Sequence, residues 1–317
     1  MSGRPRVLLT GAFGYLGASV LRRLQNVEFV ATGRSPRNAA ALEVLDRETS
    51  AQRHFIKVEQ AGRLLEEHGP FDAVVHLAGG GGPAKIAADP IAGIRNNIRA
   101  TSILARAAAR AGVKRLLFAS TIAVYGTSRD HGKPYAESDT AEPDDIYGVV
   151  KETAEQIWVE HAGGTSLRLS NIYGAGIGVD MGILGAVERF AKAAAEGGTI
   201  KLFGGGTQRI DYVHVDDVAR AIGLAISADE LPPLLNLGGG SPIALADLAA
   251  LAVASGEALG KRTEVVLEPA PPGKSWPDRS LAIDLAGRAI GFVPRVSYEA
   301  GMDELVRMFA SGPKGDT

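Results

Sequence analysis

The segment Thr10-Gly11-Ala12-Phe13-Gly14-Tyr15-Leu16-Gly17 constrains this chain more than any other. It follows Arg6–Thr10, an apolar run that reads as a strand. It opens Tyr15–Leu24, which reads as a helix with Leu16, Val20, Leu21 and Leu24 on one face. Glycines three apart at such a junction have separate tasks. Gly11 permits a sharp turn, Gly14 lets backbone approach a ligand, and Gly17 lets the helix lie close to the strand. The helix N-terminus then offers free N–H groups and a partial charge of about +0.5 to an anion. A plain tight turn is the alternative. At the first strand–helix junction of a βαβ unit, the spacing points instead to the pyrophosphate of a dinucleotide. Gly11, Phe13, Gly14, Tyr15, Leu16 and Gly17 are therefore candidate cofactor contacts.

The same alternation continues. Strands are expected at Glu28–Thr32, His54–Val58, Ala73–Leu77, Arg115–Ala119 and Ser166–Leu169, and helices at Asn97–Ala111 and Tyr147–Glu160. Ala73–Leu77 is apolar throughout, as suits a strand buried on both faces. This pattern predicts an α/β fold, a doubly wound parallel Rossmann sheet with helices on both faces. After Asn171 the pattern loosens, with later apolar runs at Tyr212–Val215 and Leu234–Leu237. The expected division is a dinucleotide-binding domain over 1–170, rejoined by 209–237. A smaller α/β substrate-binding lobe is expected from 171–208 and 238–310, and a polar, disordered tail over 311–317.

Composition narrows the chemistry. The chain has 317 residues and no cysteine, which excludes disulfides, thiolate nucleophiles and Cys-based metal sites. Its six histidines stand singly without paired helical spacing, so no metal is expected. A formal charge of −2 gives no general attraction for nucleic acid or anionic membrane. No apolar stretch reaches the 18 or so residues that would suggest a membrane span. The apolar run Val7–Leu9 is broken at once by Thr10 and Gly11, which argues against a signal peptide and for a cytoplasmic protein. The 40 glycines cost folding entropy, so some must serve close backbone approach; Gly79–Gly82, after the fourth strand, is a second such place.

The second strand ends in Thr32-Gly33-Arg34-Ser35, with Arg37 beyond. A carboxylate there would hold the ribose hydroxyls of NAD. A guanidinium suits the 2′-phosphate of NADP, so NADP(H) is favoured over NAD(H), with Arg34 as its reader. Tyr147 and Lys151 stand at i and i+4 on one helix face. A tyrosine near its ordinary pKa of about 10 is a poor acid–base catalyst at neutral pH. A neighbouring ammonium is expected to pull it down.

The glycine loop, His76-Leu77-Ala78-Gly79, Asn97, Ser120-Thr121, Val124-Tyr125-Gly126, Tyr147/Lys151 and Asn171-Ile172-Tyr173-Gly174 occur in one order. With these landmarks the chain resembles the extended short-chain dehydrogenase/reductase family, in its nucleotide-sugar epimerase/dehydratase/reductase branch. The likeness runs from about Arg6 to about Met308. It implies that Tyr147 exchanges a proton with the substrate oxygen. Lys151 would bind the nicotinamide ribose and tune Tyr147, and Thr121 would hydrogen-bond the reacting oxygen. Leu77, Ala78 and Asn97 would lie at the cofactor. Gly80, Thr121, Asn171, Arg209 and Arg279 would meet the substrate, the last three near its phosphates.

Departures from the branch sharpen the expectation. Dehydratases carry an Asp-Glu pair directly after the Thr. Here those positions are Ile122 and Ala123, so 4,6-dehydration is not expected. Arg209–Val218 (RIDYVHVDDV) matches a later landmark of the branch, but the usual Arg before its Asp is Ile210, with Arg209 displaced by one, and the usual Pro after Asn-x-Tyr-Gly is Ala175. In place of an Asp near the adenine stand Val58-Glu59. The leading expectation is an NADP(H)-dependent reductase acting on a keto group of a nucleotide-activated, 4-keto-6-deoxy sugar. The alternatives are a redox-neutral nucleotide-sugar epimerase with tightly bound NAD(P), a reductase of non-sugar ketones, and a non-catalytic dinucleotide-sensing or RNA-associated protein. Epimerases that invert carbons beside a ketone need an extra acid and base; no such pair is evident, and His214 and Lys85 stay open for it. His214 reads more simply as a core residue, and Asp216-Asp217 as caps of the following helix. The small-residue face of Asn97–Ala111 suits either the sheet or a homodimer contact.

Overall fold

A computed structural model of the chain describes residues 3–34, 45, 47, 49–79, 81–127, 132–176, 185–271 and 278–312. Ser35, Arg37, Gly80 and the tail beyond Gly312 lie outside the described residues. The strands are β1 Arg6–Thr10, β2 Glu28–Gly33, β3 Gln52–Phe55, β4 Ala73–His76, β5 Arg115–Thr121, β6 Thr165–Leu169, β7 Asn171–Tyr173, β8 Thr199–Phe203, β9 Arg209–Ile210, β10 Tyr212–His214, β11 Leu234–Leu237, β12 Ile243–Ala244 and β13 Glu264–Glu268. Seven of them form one sheet in the order β11-β6-β5-β4-β1-β2-β3, with every neighbour parallel. Parallel neighbours need crossover connections, and helices supply them. The chain leaves β1 towards β2 and β3, then returns to place β4 on the other side of β1. The crevice at the carboxyl ends of β1 and β4 is thus the topological switch point, where open α/β sheets bind their ligands.

Alternate residues of the strands feed two cores. Val7, Leu9, Val75, Leu117, Leu167 and Leu235 join helices α1 (Tyr15–Arg23) and, later in the chain, Val215–Ser227, on one face. Leu8, Val30, Val74, Leu116 and Phe118 meet α2 (Val58–Glu67) and the helix Ala100–Arg110 on the other. A separate core of Tyr173, Phe190, Leu202, Leu248, Met302 and Leu305 gathers around β8 and the later helices. Leu234–Leu237 lies beside β6 in the main sheet, although about 65 residues intervene between the two strands.

Two elements differ from expectation. The third strand is Gln52–Phe55 rather than His54–Val58. Val58 instead starts α2, because Gln60 accepts from the Lys57 backbone N–H at 3.1 Å and closes a helix cap there. The helix expected from Asn97 begins earlier, after a short helix α3 (Pro83–Ala88). Asp89 caps α4 (Pro90–Ile94) by accepting from Ala92 N at 2.9 Å, with Pro90 at the first helical position. The helix then passes through a π-turn at Arg95–Arg99 into α5 (Ala100–Arg110). Helix α6 (Ile146–Gln156) follows β5, and α7 (Ala186–Glu196), α8 (Val215–Ser227), α9 (Leu245–Glu257), α10 (Asp284–Ile290) and α11 (Tyr298–Ala310) complete the set used below. Among the described residues, no helix is long and apolar enough to cross a membrane.

Candidate active site

The glycine loop sits at the switch point. Gly11 has φ +72°, and a Cβ there would fall 2.6 Å from Ala78 N, so the exits of β1 and β4 touch. A Cβ on Gly17 would lie 2.2 Å from Gly11 O, which holds α1 tight against the loop. At Gly14 an added Cβ meets nothing closer than Gly11 O at 3.3 Å. Gly14 is exposed and precedes a helix whose first turn has no capping side chain and no acidic residue. These features fit an anion at the N-terminus of α1. Side chains of the loop are engaged elsewhere. The Phe13 ring is buried beside Gly33 and 5.1 Å from the Phe55 ring, Leu16 packs into the main core, and the Tyr15 phenol donates to Gly174 O at 2.6 Å. What the loop offers a ligand is backbone. Arg34 stands exposed just past the end of β2.

Beneath the crevice lies His76, fully buried. Its Nδ1 is 2.6 Å from Thr10 Oγ1 and its Nε2 is 3.0 Å from Thr101 Oγ1. Burial, with help from nearby Lys151, pushes its pKa down to about 3, so the ring is neutral and works as a strut. Leu77 N donates to Thr10 O at 3.1 Å, keeping the Leu77–Ala78 exit against the glycine loop. Asn97 lies in the π-turn and is buried, with Nδ2 donating to Gly93 O at 2.8 Å. A Cβ on Gly79 would sit 3.2 Å from Asn97 Oδ1, so this glycine admits the asparagine to the crevice wall.

The catalytic candidates converge across β5 and α6. Thr121 ends β5 and accepts from Ala123 N at 3.2 Å, which starts the short turn Ile122–Tyr125. Asp145 caps α6 by accepting from Gly148 N at 2.6 Å. Gly148 then lets α6 press on the Ile122–Tyr125 turn, because a Cβ would come within 2.7 Å of both Ala123 O and Pro143 Cβ. That approach places Tyr147 beside Thr121, near enough for the threonine hydroxyl to act on the phenol. Lys151, one turn on, is buried. Its Nζ donates to Ala119 O at 2.5 Å and lies 4.4 Å from the Phe118 ring centre.

The electrostatics correct one expectation. The Tyr147 phenol is raised above its usual range, not lowered. Burial is the largest cause, the neighbouring Thr121 hydroxyl works against it, and Asp145 adds to it. The Lys151 ammonium is spent on a carbonyl and a ring face instead. Burial also brings Lys151 down to about 8, opposed by the Glu155 carboxylate one turn further along. Glu155 is itself buried, accepting from Ser166 Oγ at 2.8 Å and pairing with Arg168 Nη2 at 2.5 Å. Breaking such a buried pair by removing one partner costs about 3–5 kcal/mol. Sequence reasoning missed this pair, and only the four-residue step from Lys151 to Glu155 hints at it.

The substrate-side candidates stand on the other wall. Asn171 Nδ2 donates to Asp211 O at 3.1 Å. Arg209 Nη2 donates to Pro242 O at 2.6 Å, and the Arg279 backbone runs alongside, its N–H donating to Arg209 O at 3.1 Å. Asp211, also missed, is fully buried. It accepts from Gly239 N at 2.8 Å and Leu281 N at 3.2 Å, and burial raises its pKa to about 6. His214 is buried as well, 3.1 Å from Glu304 and capping α8, which occupies both ring nitrogens. Ile122 and Ala123 are buried. Among the described residues no cluster of His, Cys, Asp or Glu could hold a metal ion.

Residues 7–238 match the NAD dependent epimerase/dehydratase family. UDP-glucuronate 4-epimerase of Thermodesulfobacterium geofontis is 30% identical over 78% of this chain and 75% of its own. dTDP-4-dehydro-6-deoxy-D-allose reductase of Streptomyces bikiniensis is 26% identical over 96% and 95%, and dTDP-glucose 4,6-dehydratases are also among the relatives. The structure of UDP-glucose-4-epimerase from Stenotrophomonas maltophila, with bound NAD and formylated UDP-arabinopyranose, superposes with a TM-score of 0.84. It is 25% identical and covers 97% of this chain and 98% of its own. The switch-point loop, the Thr121–Tyr147–Lys151 grouping and these matches together make the chain an enzyme of the short-chain dehydrogenase/reductase type, belonging to the NAD dependent epimerase/dehydratase family.

Proposed function

We propose that the chain is an NADP(H)-dependent oxidoreductase that reduces a keto group of a nucleotide-activated sugar, of the 4-keto-6-deoxy class. The observation that carries this is a phenol that burial keeps protonated, with the Thr121 hydroxyl beside it. A protonated Tyr147 is ready to give a proton. When bound, a nicotinamide cofactor supplies the hydride for the carbonyl carbon. As oxyanion character develops on the substrate oxygen, Tyr147 transfers its proton there and Thr121 hydrogen-bonds the same oxygen. Lys151 lies one turn further along the same helix, where it would hold the nicotinamide ribose. Positioned proton transfer of this kind contributes about 10²–10⁴-fold. Asn171, Arg209 and Arg279 would hold the diphosphate, and Arg34 the 2′-phosphate. The apolar, buried Ile122 and Ala123 leave no acid–base pair for dehydration.

The 30% identity to a 4-epimerase favours a second reading, in which a retained nicotinamide cofactor would take and give back the carbinol hydride while the same three residues take and return the hydroxyl proton. The deciding experiment identifies any co-purifying cofactor, then follows NADPH absorbance with UDP- and dTDP-linked 4-keto sugars. Stoichiometric consumption supports reduction. Retained NAD with no net consumption supports epimerisation and overturns the first reading.

The chain is further proposed to work in the cytoplasm as a homodimer, with the division into cofactor and substrate lobes given above. Ile91, Ile94 and Val149 form exposed apolar ground on α4 and α6. Exposed Arg95 and Arg99 lie in the π-turn after α4, half-buried Glu152 on α6 and exposed Glu160 in the π-turn Ile157–His161 that continues it, complementary charges for a second copy. Sedimentation as a monomer at micromolar concentration would overturn the dimer.

A further inference from the structure

The polar stripe of α1 is joined to distant segments of the chain. Tyr15, Ser19 and Arg23 stand at i, i+4 and i+8, on one helix face. The Tyr15 hydroxyl donates to Gly174 O at 2.6 Å, 159 residues away in the chain. Ser19 Oγ donates to Asp216 Oδ1 at 2.9 Å, and Arg23 pairs with Asp216 Oδ2. The Tyr15 ring also packs on Gly176, where a Cβ would fall 2.9 Å from the ring. From the other side, His214 crowds Gly174, which has φ +127° and would place a Cβ 2.3 Å from His214 Nε2. The segment 174–176 is therefore held between Tyr15 and His214. Burial, with Glu188, Asp216 and Glu304 nearby, pushes the Tyr15 phenol far up, so it stays a donor.

Tyr15 is also the first residue of α1, so its backbone N–H belongs to the turn offered to the cofactor's pyrophosphate. Its side chain grips a carbonyl three residues beyond Asn171, the candidate substrate contact. One residue thus faces both sites, backbone to one and phenol to the other. We propose that the Tyr15 hydroxyl couples the two sites, so that an occupied pyrophosphate loop fixes the Asn171–Gly176 segment and nucleotide substrate binds more tightly. This rests on the functional reading above. By reciprocity, the nucleotide then tightens cofactor binding by the same factor. One part-buried hydrogen bond made in only one of two states corresponds to about five- to tenfold.

The test titrates NADPH by fluorescence into the full-length protein, with and without saturating UDP or dTDP, for wild type and Tyr15→Phe. The expected result is a five- to tenfold tightening by nucleotide in wild type and a ratio near one in Tyr15→Phe, each ratio taken against that protein's own NADPH affinity. Hydrogen exchange adds a readout that needs no variant: NADPH alone should protect the amides of 172–176 in wild type. If NADPH binds but neither tightens with nucleotide nor protects 172–176, the coupling is refuted and the functional reading stands. Equal coupling in Tyr15→Phe also refutes it. If neither NADPH nor NADH binds wild type, the functional reading fails and takes the coupling with it.

Discussion

Gly148 offers the sharpest perturbation of the catalytic geometry. It sits in the first turn of α6, directly after Tyr147. A Cβ there would lie 2.7 Å from Ala123 O and 2.7 Å from Pro143 Cβ, whereas ordinary contact begins at 3.4 Å. In Gly148→Ala the helix must retreat by about 0.7 Å, since neither a backbone carbonyl nor a proline ring can swing aside. Alanine gains about 1 kcal/mol of helix propensity over glycine. Overpacking a tight contact costs about 1–3 kcal/mol. The clash meets two rigid neighbours at once, so the upper part of that range applies and a net loss of about 1–2 kcal/mol is expected. The same retreat draws Tyr147 away from Thr121. Misplacement near 1 Å costs about 10²-fold, so turnover should fall about 10- to 100-fold. Cofactor affinity, proposed to rest mainly on the glycine loop, should change less than threefold. Urea denaturation, turnover and cofactor titration on one preparation test all three. A variant as stable as wild type with turnover within twofold would show that α6 does not need glycine to reach Thr121.

Other outcomes follow from the charges. Lys151 titrates near 8, so its ammonium is lost as pH rises through about 8, and cofactor affinity should weaken above that point. Lys151→Met should bind weakly with no such slope; an equal slope in both proteins would acquit the lysine. His76, at about 3 folded and 6.5 unfolded, takes up a proton only on unfolding between those values. Its contribution is complete above about 6.5 and falls by about 1.4 kcal/mol per pH unit below, or about 2 kcal/mol at pH 5. Urea midpoints at pH 7 and 5 should therefore differ more for wild type than for His76→Asn. Arg34→Ala should weaken NADPH about 10-fold or more and NADH less than twofold, and parallel losses for both would remove Arg34 as the phosphate reader.

What could be read in advance follows a physical division. The glycine loop was legible because spacing alone encodes it: a turn, an approach and a close-packed helix each require a missing Cβ. The central strands were legible as apolar runs, since a strand buried on both faces has no polar alternation. Gln52–Phe55 was misplaced because an edge strand of Gln, Arg and His carries no such mark, and its boundary is set by the Lys57–Gln60 cap. Tyr147 and Lys151 were found by their i, i+4 spacing, but the direction of the Tyr147 shift was not. Spacing reports which charge is near, whereas burial and the turn of Lys151 towards Ala119 O decide which effect wins. The π-turn around Asn97, the Glu155–Arg168 pair and the bond from Tyr15 to Gly174 depend on contacts made only after folding.

The central claim is that a half-buried, protonated Tyr147 gives its proton to a sugar carbonyl. Tyr147→Phe keeps the ring and removes only that proton. NADPH absorbance should be followed with a dTDP- or UDP-linked 4-keto-6-deoxy sugar, alongside NADPH titration of both proteins. The account predicts stoichiometric oxidation by wild type, turnover reduced at least about 10²-fold in Tyr147→Phe, and NADPH affinity within about threefold. Turnover retained in Tyr147→Phe would contradict it.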